Sequence, residues 1–170
     1  MNSAINNSLP NERPKRSFRK RLIFRLLFFP LIAVGGLFFL SMTSPKPENL
    51  GVYDGRLADC PDTPNCVSTQ TSDNSQLMPA IPWPGTGPEF ADRIKSLITA
   101  DFSNAILITE KPGYLHFEFT SLVFRFVDDV EFLFDDDQAV VQFRSASRVG
   151  HSDLGANRRR MKKITEGLIR

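Results

Sequence analysis

The densest run of polar side chains in this 170-residue chain lies at residues 144–158 and includes Arg144 and Arg148. The run follows a predicted strand and enters a predicted helix, so it contains a helix N-terminus. Free backbone N–H groups at such an end attract anions, and arginine adds charge-assisted hydrogen bonds to carboxylates or phosphates. One interpretation is therefore a corner that binds a small anion.

A second interpretation is a turn that holds no ligand. Asp153 would then cap the helix by accepting hydrogen bonds from its first N–H groups. The two arginines would pair with the nearby carboxylates of Asp128, Asp129 or Glu131. We prefer this interpretation, because the pairing would also account for the acidic side chains.

A third interpretation is a small hydrolase or metal-dependent enzyme that uses the corner of Asp128, Asp129, Arg144 and Arg148. Carboxylates can bind a divalent cation, but acid–base catalysis needs two of them facing each other across a cleft. Adjacent residues of an extended segment point to opposite sides, so a catalytic pair is not expected. The sequence also contains no G-x-S-x-G motif, no P-loop and no dinucleotide-binding glycine pattern. We therefore predict no catalytic residue, no metal and no cofactor.

His116 and Glu118 alternate with apolar residues, so they share one face of a predicted strand. With Arg125 or Arg144 on a neighbouring strand they could form a small polar site. The alternative is a row of cross-strand ion pairs on a solvated face, each of which contributes little stability.

The elements that position these side chains follow from the hydrophobic pattern. Apolar residues at helical spacing predict helices over residues 88–99 and 154–169. Between them, apolar or alternating segments predict four or five strands, at residues 105–109, 114–120, 122–126, 130–134 and 140–144. Residues 49–88 are expected to be mainly loop, with one short strand around Val67. This order predicts an α+β domain, with an antiparallel four- to five-stranded sheet and two helices packed on one face. We expect the polar face of the sheet to be solvated, and Asp128-Asp129 to break or bend the chain.

The N-terminal segment predicts the compartment. Residues 1–25 hold seven Lys or Arg against one Glu, whereas the rest of the chain holds 14 basic and 18 acidic residues. An uncharged apolar run at residues 26–42 follows, which is typical of a single membrane span with a cytoplasmic N-terminus. A cleaved signal peptide and a buried soluble helix are the alternatives.

We therefore predict four regions. These are a basic cytoplasmic tail at 1–21, a transmembrane anchor or signal sequence at 22–42, a linker at 43–56 and an extracytoplasmic α+β domain at 57–170. The domain would lie in the periplasm or an equivalent space, such as the thylakoid lumen of a plastid. Membrane lipid is then a partner of residues 22–42, and nucleic acid is not expected.

Cys60 and Cys66 are the only cysteines and lie six residues apart. Outside the cytoplasm, an even count at short spacing favours a disulfide. Free or redox-active thiols and a metal site are the alternatives, although zinc would need further ligands from the distant His116 and His151.

The last predicted helix carries a basic face. Its positive side chains are Arg158, Arg159, Arg160, Lys162 and Lys163. Such a face could contact anionic lipid near the anchor, or it could simply be solvated. It also supports the hypothesis of a structural or assembly factor that acts through this helix.

Several short motifs occur in a specific order. They are Cys60-Pro61, PNCVS at residues 64–68, EFTS at 118–121, FRFVDDVEF at 124–132, RSASRVG at 144–150, SDLG at 152–155 and Asn157-Arg158. Together they resemble the motifs of the uncharacterised domain-of-unknown-function 1499 family over about residues 57–169. Members of that family look like bacterial and plastid proteins, commonly behind a signal or membrane segment. The resemblance implies an extracytoplasmic domain and implies no chemistry.

The resemblance also implies where a functional surface would lie. The polar motif positions are Glu118, Arg125, Asp128, Asp129, Glu131, Arg144, Ser145, Arg148, Asp153, Asn157 and Arg158. His151 stands where the pattern leads us to expect an aromatic residue such as tyrosine, which argues against a role for that ring.

Asn157 lies on the apolar stripe of the last predicted helix, so its amide should be buried and need hydrogen-bond partners. We expect Asp128, Asp129 and Arg148 to supply them. The function that we predict is a non-catalytic, membrane-anchored extracytoplasmic module that binds a protein partner or a small anion.

Overall fold

The computed structural model describes residues 16–42, 44–83 and 86–170. Most of the predicted basic tail, residues 1–15, lies outside the described residues. The chain divides into two compact units, residues 1–36 and 37–170. Helix α1, Arg16–Met42, begins in the first unit and ends in the second. Among the described residues, no helix has both the length and the apolarity required to cross a lipid bilayer.

The second unit is built on an antiparallel sheet of six strands. A separate hairpin comes first, formed by β1, Val52–Tyr53, and β2, Arg56–Leu57. The sheet contains β3, Cys66–Ser68; β4, Ile81–Pro82; β5, Ala105–Lys111; β6, Tyr114–Thr120; β7, Val127–Asp135; and β8, Val140–Ser147. Its order is β3-β8-β7-β6-β5, and β4 also pairs with β8. Helix α2, Gly87–Asp101, precedes β5, and helix α3, Ala156–Ile169, follows β8.

The predicted α+β class with a mostly antiparallel sheet is confirmed, but the sheet is larger than predicted. The additional strands β3 and β4 have only three and two residues and come from a segment rich in proline and polar residues. Strands this short show no hydrophobic periodicity. They form because the long β8 offers backbone partners to β3 beside Ser145 and to β4 beside Val141.

The predicted strand over residues 122–126 is wrong. These residues form part of the connection between β6 and β7, in which Leu122 and Val123 are largely exposed. The predicted break at Asp128-Asp129 is wrong as well, since both residues lie inside β7. Aspartate is disfavoured in strands, but here each carboxylate is bound by a cationic side chain, Arg160 for Asp128 and Arg148 for Asp129.

One face of the sheet carries the hydrophobic core. Phenylalanine side chains from β6, β7 and β8 form its centre, and they are Phe117, Phe119, Phe132 and Phe143. Helix α2 adds Phe90, Ile94 and Ile98, and helix α3 adds Met161, Ile164 and Leu168. Both predicted helices therefore pack against this face. Helix α3 brings a polar residue, Asn157, onto the same buried stripe.

The opposite face of the sheet is polar, as predicted, but it is not solvated. His116, Asp129 and Glu131 on this face are at most 1% exposed. Part of the cover is a segment that we call the strap, residues 50–57, which contains the β1–β2 hairpin. Strand β2 contacts β7 and β8, and the Gly51 N–H donates a hydrogen bond to Glu131 Oε1 at 2.7 Å. The strap therefore converts a solvated face into a buried one.

Candidate functional site

The covered face carries seven polar side chains that we call the polar layer. They are Tyr114, His116, Glu118, Asp129, Glu131, Arg144 and Arg148. Strand register aligns them in rows, with Glu118 opposite Asp129, and with Glu131 between His116 and Arg144. Side chains alternate between the two faces of a strand, so alternate residues of β6 and β7 contribute to the layer, together with Arg144 of β8 and with Arg148 just after β8.

Asp129 is the centre of one half of the layer. Its Oδ1 lies 2.8 Å from His116 Nε2, and both of its oxygens accept hydrogen bonds from the Arg148 guanidinium at 2.8 Å. Burial alone would raise the pKa of the Asp129 carboxyl. The hydrogen bonds from Arg148 and His116 outweigh that effect and hold the pKa below its ordinary value. Arg148 also donates to Glu118 Oε1, so one guanidinium binds two carboxylates.

Glu131 is the centre of the other half and is fully buried. Its Oε1 accepts from the strap at Gly51 and from the Tyr114 hydroxyl at 2.8 Å, and its Oε2 accepts from Arg144 Nη1 at 3.3 Å. Burial and the adjacent Glu131 charge raise the pKa of Tyr114 far above its ordinary value. Tyr114 therefore remains a protonated donor over the whole physiological pH range.

Asp128 points to the opposite face of the sheet, where it pairs with Arg160 of α3. Asn157 is completely buried there and accepts hydrogen bonds from Ser145 Oγ and Arg160 Nη1, each at 2.6 Å. Its Nδ2 group donates to the Asn65 carbonyl and to Ser147 Oγ, each at 3.0 Å. We call these residues the Asn157 cluster; it joins the sheet to the first turn of α3.

The predicted burial and hydrogen bonding of Asn157 are confirmed, but among the described residues none of its three expected partners bonds it directly. Asp129 and Arg148 lie on the other face of the sheet, and Asp128 joins the cluster only through Arg160. Residue parity along β7 explains the difference, because consecutive residues point to opposite faces.

The remaining predicted site residues do not converge on either group. Asp153 accepts hydrogen bonds from the N–H groups of Gly155 and Asn157 and so caps α3, as predicted. Arg158 donates to the main-chain carbonyls of residues 75 and 77. Arg125 is exposed, and no ion pair or hydrogen bond involves it within the described part of the chain. The predicted Cys60–Cys66 disulfide is present, with the Cα atoms 5.7 Å apart.

Sequence reasoning missed Tyr114, Arg160 and Asn65 and did not identify the partner of His116. Side chains two residues apart in a strand lie on the same face, and this rule would have placed Tyr114 beside His116 on one face of β6. Arg160 follows Asn157 by three residues, which is neighbour spacing on a helix. No local signal identifies Asn65, because its carbonyl accepts a hydrogen bond from Asn157, which lies 92 residues later in the sequence.

His116, Glu118 and Asp129 form a set of potential metal ligands, with their ligand atoms within 4.8 Å of one another. Arg148 Nη2 contacts both carboxylates of this set. A guanidinium therefore already supplies the positive charge that a metal would bring. The corner suggested for catalysis is also divided, since Asp128 and Asp129 face opposite sides of the sheet and their arginine partners differ.

Three of the five basic side chains on this face of α3 lie close to carboxylates of the domain. Arg160 and Lys163 pair with Asp128 and Asp101, and their charges also lie over the rings of Phe119 and Phe102. Lys162 lies 3.8 Å from Glu166. These contacts weaken the case for a helix that works through free positive charge.

Comparison with known proteins identifies a family for this chain. No curated protein matches the chain. The family model described as "Protein of unknown function (DUF1499)" matches residues 56–168. The match covers the strap's end, all six strands of the main sheet, the polar layer and the Asn157 cluster. The chain therefore belongs to the DUF1499 family.

Proposed function

We propose that this chain is a membrane-tethered domain outside the cytoplasm that binds a small anion or a protein partner and does not catalyse a reaction. The N-terminal charge pattern and the disulfide support the location. The unequal pairing of the two polar-layer arginines, Arg144 and Arg148, supports the binding role, and it is the observation on which the anion proposal depends.

The tether would be residues 22–42. Six Lys or Arg precede this segment, which favours a cytoplasmic N-terminus. In α1 the described side chains of residues 21–32 are all exposed, and apart from Arg21, Arg25 and Pro30 they are large and apolar. Apolar side chains on all sides of a helix suit a lipid environment. The Cys60–Cys66 disulfide suits an oxidising compartment on the far side of the membrane.

Alkaline carbonate extraction tests the tether. The full chain should stay in the membrane pellet, whereas a Phe28→Lys/Leu31→Lys variant should move to the supernatant, because charges within a span are costly in lipid. The mass of the mature protein distinguishes an anchor from a cleaved signal sequence. A reporter fused after Arg170 that faces the cytoplasm would contradict the proposed topology.

The anion site would be at Arg144. Arg148 pairs with two carboxylates, those of Asp129 and Glu118, whereas Arg144 has one 3.3 Å bond, to Glu131, among the described residues. Its Nε group is buried and has no hydrogen-bond partner among the described residues. Gln142 lies two residues earlier on the same face of β8, and its buried Oε1 also lacks a partner within the described part of the chain. A buried donor and a buried acceptor without partners are energetically costly.

A small oxyanion that carries an O–H group matches this pair. It would accept a hydrogen bond from Arg144 Nε and donate one to Gln142 Oε1. Hydrogen phosphate and bicarbonate both have this chemistry.

Thermal unfolding of the full chain in detergent, at constant ionic strength, tests the anion site. Phosphate or bicarbonate at ten times Kd should add about 1.4 kcal/mol of stability relative to chloride, which raises the Tm by a few degrees. Arg144→Lys keeps a positive charge beside Glu131 but removes Nε, so the shift should disappear. Arg125→Lys, in an exposed loop, is the matched control and should retain it. An equal shift in both variants, or none in the unmodified chain, would reject the site.

A further inference from the structure

A cleft with a volume of about 680 Å³ opens between the first turns of α2 and the turn that joins β5 to β6. Arg144 does not line it. Its inner wall is apolar and includes Trp83, Leu115 and Phe134. This volume falls within the range of small-molecule sites, which are mostly apolar with a few placed polar groups.

The aromatic wall is held rigidly. Trp83 packs edge-on against Phe134, with ring centroids 5.2 Å apart, and against Phe90, with centroids 6.3 Å apart. Gly87 at the start of α2 lies directly on the indole, since a Cβ atom there would be 2.8 Å from Trp83 Cζ3 and Cη2. A glycine at this position therefore lets the helix begin against the ring. The indole presents a fixed surface to the cleft.

The rim of the cleft carries three carboxylates, those of Asp92, Glu110 and Asp136, and one cation, Lys111. A second cation, Lys95, pairs with Asp92 and Glu110 at 2.8 and 2.6 Å. Asp136 is exposed and takes part in no ion pair or hydrogen bond among the described residues. One carboxylate at the rim is therefore available to a ligand.

We propose that this cleft binds an organic cation, namely a protonated amine attached to an aromatic or short aliphatic body. The body would pack against Trp83 and Phe134, where burial of apolar surface stabilises the complex. The ammonium group would pair with Asp136 and gain further from the aromatic faces. This site is independent of the proposed anion site, from which it differs in position and in charge.

Trp83 is the only tryptophan of the chain, so its fluorescence reports directly on the cleft. The full chain in detergent should show saturable changes in tryptophan emission with phenethylammonium. The neutral analogue 2-phenylethanol has nearly the same shape and should bind more weakly. Asp136→Asn should weaken phenethylammonium binding roughly three- to fivefold, as expected for a partly solvated ion pair, and should bring the two ligands closer in affinity.

Asp137→Asn is the matched control, since Asp137 is the next residue of the same exposed turn and does not line the cleft. It should leave phenethylammonium binding unchanged. Equal binding of the amine and the alcohol would overturn the proposal, as would equal effects of the two asparagine variants. The absence of any saturable change in tryptophan emission with the amine would overturn it too.

Discussion

Replacing Asp129 by alanine should lower the free energy of unfolding by about 3–5 kcal/mol, the usual result of removing one partner from a buried ion pair. The Asp129 carboxylate is 1% exposed and holds both His116 and Arg148. Without it, the Arg148 guanidinium keeps only Glu118 as a charged partner, and the buried His116 loses its hydrogen bond. Urea denaturation of the full chain in detergent, with one transition assigned to the folded domain, measures the loss.

Asp137→Ala is the control, because it removes an exposed carboxylate from a turn and should change stability by less than about 0.5 kcal/mol.

Acid titration adds a second readout. The folded-state pKa of Asp129 is lowered, so its contribution is fully present above the unfolded-state pKa and is lost as pH falls through the folded value. Stability of the unmodified chain should therefore decline below about pH 4. Asp129→Asn should decline less steeply, and an unchanged acid slope would contradict the assignment.

Much of the fold could be predicted because its hydrophobic periodicity is strong. Leu115, Phe117 and Phe119 alternate cleanly, and this pattern correctly predicted β6 and its core face. The stripe of Phe90, Ile94 and Ile98 likewise predicted α2. In these elements local pattern and tertiary burial agree. The sequence predicts β3 only as a short strand around Val67. Its place in the main sheet and the presence of β4 could not be predicted, since both depend on a distant partner, β8.

The polar face was misjudged for a related reason. A row of His, Glu and Arg residues on alternate positions is typical of a solvated sheet face. Here it is buried under cover that includes the strap, a segment with little apolar periodicity. One N–H of that segment, at Gly51, bonds a carboxylate 80 positions away. Such a contact leaves no trace in the local sequence of either partner.

The pairing of the polar residues could be predicted in part. The expectation that arginines of the 144–158 run pair with acidic residues of the neighbouring strand is confirmed for Arg144 with Glu131 and Arg148 with Asp129. The partners of Asn157 were predicted less well, because the argument did not separate the two faces of β7. Applying the period-two rule to Asp128 and Asp129 would have assigned them to different clusters. Whether any of these residues binds a ligand stays a prediction.

Replacing Asn157 by alanine should lower the free energy of unfolding by about 2–3 kcal/mol, since buried groups that lose their partners pay a desolvation penalty. The side chain is fully buried and bonds both Ser145 and Ser147 of β8. It also holds the Asn65 carbonyl beside the disulfide. Its removal should therefore loosen the contact of α3 with two separate parts of the sheet. Thermal and urea denaturation of the full chain measure the effect.

A double-mutant cycle with Ser147→Ala separates this network from simple loss of packing. If the Asn157 Nδ2 to Ser147 Oγ bond contributes, the two substitutions together should cost about 0.5–1.5 kcal/mol less than the sum of their separate effects. Arg158→Ala is the control on the same helix turn, because Arg158 bonds only carbonyls of an exposed loop, and it should have a small effect. An unchanged Tm for Asn157→Ala would show that the cluster does not hold α3 to the sheet. Additive effects of the two substitutions would instead assign the loss to the Asn65 and Ser145 contacts, which the corresponding Ser145→Ala cycle would then measure.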